Sequence, residues 1–93
     1  DNLARIEGNL PINQNPTLRD ITGFQNLLEI IGNLSLDRNN SLVNLNGLHD
    51  VEYVEGNLSI EHNPSLPNQR AHNLRDSIGD GLQGNAFING NQP

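Results

Sequence analysis

The sequence contains no cysteine, which excludes disulfides and thiolate metal sites and leaves the redox compartment unread. Basic residues are also scarce, five against eleven acidic ones, and they are scattered along the chain. A net charge of −6 without a basic cluster argues against a nucleic-acid partner or an anionic membrane surface. No apolar run is long enough to span a bilayer, so direct membrane insertion is not expected. Apolar residues amount to only 33%, and nearly all of them are Leu, Ile and Val. They recur at fixed offsets, so disorder is the wrong reading of this polar composition. A chain of 93 residues is expected to form one domain, residues 1–93. A domain of that size buries roughly 60–65% of its unfolded surface, which leaves a lone copy only modestly stable.

What the chain does have is asparagine, seventeen in all, and a repeat. Asn tolerates left-handed backbone and bonds to neighbouring peptide groups, so it suits corners, and in stacked repeats it can form hydrogen-bonded ladders. Ile30-Ile31-Gly32-Asn33-Leu34-Ser35-Leu36 is preceded at 24 residues by Ile6-Glu7-Gly8-Asn9-Leu10-Pro11-Ile12 and followed at 24 by Val54-Glu55-Gly56-Asn57-Leu58-Ser59-Ile60. A weaker copy, Leu82-Gln83-Gly84-Asn85-Ala86-Phe87-Ile88, comes 28 residues later. A near-fixed period signifies stacked coils, each burying its face on the next. The repeats run 6–29, 30–53 and 54–81, with a C-terminal cap over 68–93. Leu3 and Ile6 stand in register with Leu27 and Ile30, so Asp1 to Arg5 reads as the tail of an earlier repeat.

Alternation within each repeat predicts a short strand with Leu10 and Ile12, Leu34 and Leu36, and Leu58 and Ile60 on one side. Stacking then gives the columns Leu10-Leu34-Leu58-Ala86, Ile12-Leu36-Ile60-Ile88 and Ile6-Ile30-Val54-Leu82, at about 4.8 Å per step. Asn15-Pro16, Asn39-Asn40 and Asn63-Pro64 mark a corner, after which Leu18, Leu42 and Leu66 turn inward. Ile21, Phe24 and Leu27, then Leu45, Leu48 and Val51, fill the far side, with Gly23 and Gly47 at a second corner. In the third repeat Ala71, Leu74 and Ile78 follow helical spacing and Gly79 provides a stop, which predicts a short capping helix over Asn68 to Ile78. Gly84 to Asn91 adds a last strand. Pro11 lies inside a strand and fits only where its missing donor points away from the stack, at an edge.

The pattern Ile-x-Gly-Asn-Leu-x-Ile-x-x-Asn-Pro-x-Leu-x-x-Ile-x-Gly-Phe-x-x-Leu, from Ile6 to Leu27, resembles the receptor L domain. That is the leucine-rich, right-handed β-solenoid repeat of insulin- and EGF-receptor ectodomains, of fungal wall proteins and of exported bacterial surface proteins. The ending, from Ala71 and Leu74 through Gly84 to Asn91, looks like the closing segment of bacterial members. The family's flanking cysteines are absent here. The resemblance implies a mainly β fold, a short solenoid of about 24-residue coils with parallel ladders. It also implies an extracellular or cell-surface setting and a protein or glycan ligand bound on an exposed sheet.

The outward positions form a grid of Asn9, Pro11 and Asn13; Asn33, Ser35 and Asp37; Asn57, Ser59 and Glu61; Asn85, Phe87 and Asn89, flanked by Gln14, Arg38 and His62. The candidate ligand-binding residues are Ser35, Asp37, Arg38, Ser59, Glu61, His62 and Phe87. Asp37 beside Glu61 and Arg38 beside His62 offer acceptors and donors to a sugar or a peptide. An outward Phe on a strand is a contact candidate unless the C-terminal tail covers it. The bland alternative is an ordinary solvated face.

Catalysis is not expected. Asp37 and Glu61 without a carbonyl-rich loop make a poor cation site, and as a glycosidase pair they lack a cleft. His49, His62 and His72 fall at different repeat positions and share no metal cage. No Ser-His-Asp arrangement or phosphate loop occurs, and no cofactor is implied. Two threonines, Thr17 and Thr22, are too few for an ice-binding face. The expectation is a non-enzymatic recognition or adhesion module. The alternative is a structural spacer or self-associating subunit, a homo-oligomer formed through solenoid ends.

Overall fold

The computed structural model describes residues 4–21 and 26–92, which form a small α/β domain of parallel sheets and one C-terminal helix, 35 × 24 × 19 Å in extent. Strands β1 (Ala4–Glu7), β3 (Leu27–Ile31) and β5 (Tyr53–Val54) make one sheet. Strands β2 (Leu10–Asn13), β4 (Leu34–Asp37), β6 (Leu58–Glu61) and β7 (Ala86–Asn89) make the other, in that order. Each strand of the first sheet leads through a Gly-Asn corner into a strand of the second.

The registers follow the sequence period. Leu10 pairs with Leu34, Leu34 with Leu58 and Leu58 with Ala86. Ile12, Leu36, Ile60 and Ile88 align likewise, as do Ile6, Ile30, Val54 and Leu82 in the first sheet. The inner members Ile30, Leu34, Leu36, Val54, Leu58 and Ile60 are fully buried, and Leu42, Leu45, Leu48, Val51 and Leu66 join them in one core. The pairing explains why so few apolar residues suffice: each one touches its equivalents in the repeats before and after it. Trimming one methyl from such a column, Ile60→Val, is expected to cost about 1 kcal/mol. Thermal unfolding followed by circular dichroism should show a midpoint about 4–8 °C lower.

Two asparagine ladders hold the corners. At the Gly-Asn corner the Asn33 N–H donates to Asn9 Oδ1 (2.9 Å), the Asn57 N–H to Asn33 Oδ1 (2.7 Å) and the Asn85 N–H to Asn57 Oδ1 (2.9 Å). After the second-sheet strands the direction reverses. There the Asn15 N–H donates to Asn39 Oδ1, the Asn39 N–H to Asn63 Oδ1 and the Asn63 N–H to Asn91 Oδ1, at 3.0, 3.0 and 3.2 Å. Asn39 and Asn63 are wholly buried. Their amides also donate to Ile12 O (2.8 Å) and Leu36 O (2.9 Å), so each closes the chain onto the repeat before it.

Proline 11 sits where an edge was expected. The N–H groups of Leu10 and Gln14 both donate to the β4 side, at 2.8 Å each, so the alternating Pro11 nitrogen points away from the ladder. Helix α1 (Asn68–Ile78) buries Ala71, Leu74 and Ile78, the three residues whose spacing predicted it. It ends at Gly79, whose φ of +57° few side chains adopt. Behind the helix, Gln92 donates to Leu66 O (2.8 Å) and accepts from the Asn68 N–H (2.6 Å), which ties the C-terminal segment to the third repeat. On the outer face of the first sheet, Arg5 bridges Glu7 and Glu29, each at 3.1 Å, and these bonds hold its guanidinium above its ordinary value. The expected positions of Leu3, Gly23 and Phe24 lie outside the described residues.

Candidate functional site

The outward side chains of β2, β4, β6 and β7 share one face because strand alternation and parallel pairing repeat the same orientation in each repeat. Ser35 stands beside Ser59, which pairs with Phe87; Asp37 stands beside Glu61, which pairs with Asn89. Ser35, Asp37, Ser59 and Glu61 are half-buried, whereas Phe87 is 44% exposed. The C-terminal segment therefore leaves that ring open to solvent.

Hydrogen bonds fix the floor of this face. Asn13 Oδ1 accepts from the Ser35 hydroxyl and from the Asp37 N–H, both at 3.1 Å. The Asn89 amide donates to Glu61 Oε2 at 2.7 Å. Asp37 Oδ2 lies 3.4 Å from Arg38 Nε, while Asp37 Oδ1 is buried without a donor among the described residues. Exposed ion pairs of this kind add little stability. The pairing nevertheless ties the Arg38 guanidinium to the end of β4, the strand it follows.

One feature of the site is not signalled by any motif. Gln14, Arg38 and His62, which follow β2, β4 and β6, have φ of +57°, +61° and +60°, and Gly90 after β7 has +72°. The chain makes the same left-handed bend at the end of every second-sheet strand. A side chain in that conformation costs about 1 kcal/mol or more, which glycine avoids. Neighbouring repeats stabilise the bend: the N–H groups of Gln14, Arg38 and His62 donate to Asp37 O, Glu61 O and Asn89 O at 2.8, 3.1 and 3.0 Å. The available signal was Gly90 itself, at the position equivalent to His62.

The bend opens a shallow groove of about 430 Å³ lined by Arg38, Asn40, His62, Pro64 and Gly90. Gly90 keeps it open, since a Cβ there would stand 2.8 Å from His62 Nδ1 and 3.1 Å from the His62 nitrogen. The fold thus brings Arg38 and His62 onto one groove, and Asp37 and Glu61 onto the adjoining strip. Phe87 lies further along β7.

Four residues of the expected grid need correction. Asn9, Asn33, Asn57 and Asn85 precede the strands rather than belong to them. The Oδ1 atoms of the first three accept the next repeat's backbone N–H. Such a carbonyl is occupied within the stack, and these positions serve the fold before any ligand. Of the three histidines, His49 faces Asn46 (3.2 Å) and His62 lines the groove. Among the described residues no group of three or more His, Asp or Glu could hold a metal ion. No helix among them is long and apolar enough to cross a membrane. Compared with family models, with curated proteins and with solved structures, the chain matches none.

Proposed function

We propose that the chain is a short, leucine-rich, right-handed β-solenoid of the receptor L type. In this reading it acts outside the cell or on its surface as a non-enzymatic recognition or adhesion module. The ligand is a protein or a glycan, held on the outward face of the second sheet. One observation carries the reading: polar side chains of successive repeats stand in register on that face, Ser35 by Ser59 and Asp37 by Glu61, beside an aromatic ring left 44% exposed. An aromatic platform rimmed by aligned donors and acceptors is a surface suited to recognition. The 24-residue register of both parallel sheets supports the solenoid architecture.

The test is capture from an array of glycans and surface proteins. Asp37→Asn, Arg38→Gln, Glu61→Gln and Phe87→Ala are each expected to weaken binding, the Phe87 change by about tenfold or more. Unfolding midpoints should stay within a few degrees of the parent, because none of these side chains is in the core. Half-buried Ile6 and Leu10 on the outer strands β1 and β2 favour a second reading, a spacer or subunit that self-associates through its ends. That reading requires silent face variants and oligomers that grow with concentration in light scattering. Turnover of any glycoside or ester substrate would overturn both.

A further inference from the structure

We infer that the groove beside Arg38 and His62 is an oxyanion subsite, and that the ligand of the sheet face is a sparsely charged acidic glycan. The inference rests on the reading of that face as a binding surface. The ligand's carboxylate or sulfate lies against Arg38 and His62, while its neutral sugar rings run along β6 and β7 toward Phe87.

The chain has five basic residues, all arginine, yet one of them stands on the groove wall with its side chain 58% exposed. His62 stands on the same groove one repeat later. Both occupy left-handed positions where Gly90 shows the unstrained solution. Asp37 engages Arg38 through Nε, and no bond among the described residues engages the two Nη atoms, the pair that grips an oxyanion.

Next to the groove the surface turns acidic and acceptor-rich, with the carboxylate of Glu61, the exposed part of Asp37 and the Asn89 side chain. A polyanion is repelled there, as it is by a net charge of −6. Sugar hydroxyls, several to each ring and each able to donate, suit such a strip better than a peptide, which brings one acceptor carbonyl for every N–H. From Gly90 back to Phe87 is roughly 10 Å along the strand, the length of a short oligosaccharide, and a sugar ring packs on the exposed phenyl.

The test is calorimetric titration of the chain with a galactotriose ending in a single galacturonate, neutral galactotriose, a monosulfated galactose trisaccharide and a blocked peptide bearing one glutamate. The singly carboxylated or the sulfated trisaccharide is expected to bind at least about tenfold more tightly than galactotriose, and which of them wins identifies the oxyanion. Arg38→Gln and His62→Gln should each remove most of that preference, bringing the affinity for the charged sugars down toward that for galactotriose. Equal affinities for charged and neutral sugars, or a preference that survives both substitutions, overturns the subsite. Galactotriose binding that Phe87→Ala abolishes would then show the recognition face standing without it. Peptide binding as tight as that of the acidic sugars overturns the choice of glycan. If no array ligand responds to any face variant, the recognition reading itself fails.

Discussion

Replacing Asn63 by leucine is expected to lower stability by about 4 kcal/mol, although the two side chains are of similar size. Asn63 is wholly buried, and its amide works in three directions. Its Oδ1 accepts from the Asn39 N–H at 3.0 Å and from Asn39 Nδ2 at 3.3 Å. Its Nδ2 donates to Leu36 O at 2.9 Å and to Asn91 Oδ1 at 3.0 Å. Leucine leaves the Asn39 N–H and one acceptor site on Leu36 O without partners in a part of the core that water does not reach. Each orphaned buried group costs about 1–3 kcal/mol, and the added methyl groups recover only part of it. For a domain of this length that translates into a midpoint about 15–30 °C lower, a large share of an ordinary stability of about 5–15 kcal/mol. Calorimetry or circular dichroism on the purified variant checks it. Ser65→Ala is the comparison: it removes an exposed bond to Asn40 O (2.8 Å), water replaces the lost donor, and the cost should be about 1 kcal/mol or less. If Asn63→Leu shifted the midpoint no further than Ser65→Ala, the ladder would be ornamental, and apolar columns alone would set the register.

That ladder marks the boundary of what the sequence discloses. The columns were legible because a parallel register joins residues of equal phase, so the 24-residue period alone is enough to pair Leu34 with Leu10 and Leu58. Helix α1 was legible for the same kind of reason: Ala71, Leu74 and Ile78 share a phase of 3.6, and Gly79 ends it. Corner chemistry was legible in part: asparagine ladders, and corners at Asn15, Asn39 and Asn63, were expected and are present, but the Gly-Asn corner was not. Asparagines 9, 33, 57 and 85 look like outward strand positions when alternation is extended by one residue. Nothing in the residue type tells whether an amide faces solvent or the next repeat's N–H. The left-handed bends were hidden for another reason. Gln14, Arg38 and His62 have no preference for positive φ, and repeat-to-repeat hydrogen bonds override their own preference for negative values. At the candidate site, periodicity brought Asp37 next to Glu61 and Arg38 next to His62. It could not reveal that Gly90 hollows the groove beside them, because that depends on which atoms approach across repeats.

Glycine 56 is the second position where a small change is expected to have a large effect. Gly32, Gly56 and Gly84 recur at the corner, and turn flexibility is the usual explanation for such a pattern. Here the cause is proximity. A Cβ on Gly56 would run into Asn33 Oδ1, and would lie 2.9 Å from Gly32 O and 3.0 Å from Asn33 Cγ. Neither oxygen can withdraw. Gly32 O accepts from the Gly56 N–H at 2.8 Å, and Asn33 Oδ1 accepts from the Asn57 N–H at 2.7 Å. Making room for one methyl group means breaking both bonds and prying the second repeat from the third, where β3 meets β5 and β4 meets β6. Gly56→Ala is therefore expected to cost about 3 kcal/mol or more, the upper range for overpacking, and to lower the midpoint by more than about 10 °C. Gly79→Ala is the discriminating control. Nothing lies within 4 Å of the Cβ it would carry, so only the backbone conformation, φ +57° with ψ −128°, is penalised, at about 1–3 kcal/mol. Backbone freedom as the common cause would make the helix-end substitution the more damaging of the two, since Gly79 alone of the pair needs a positive φ. Close approach makes Gly56 the worse of the two, and ties the Gly-Asn motif to the spacing between repeats.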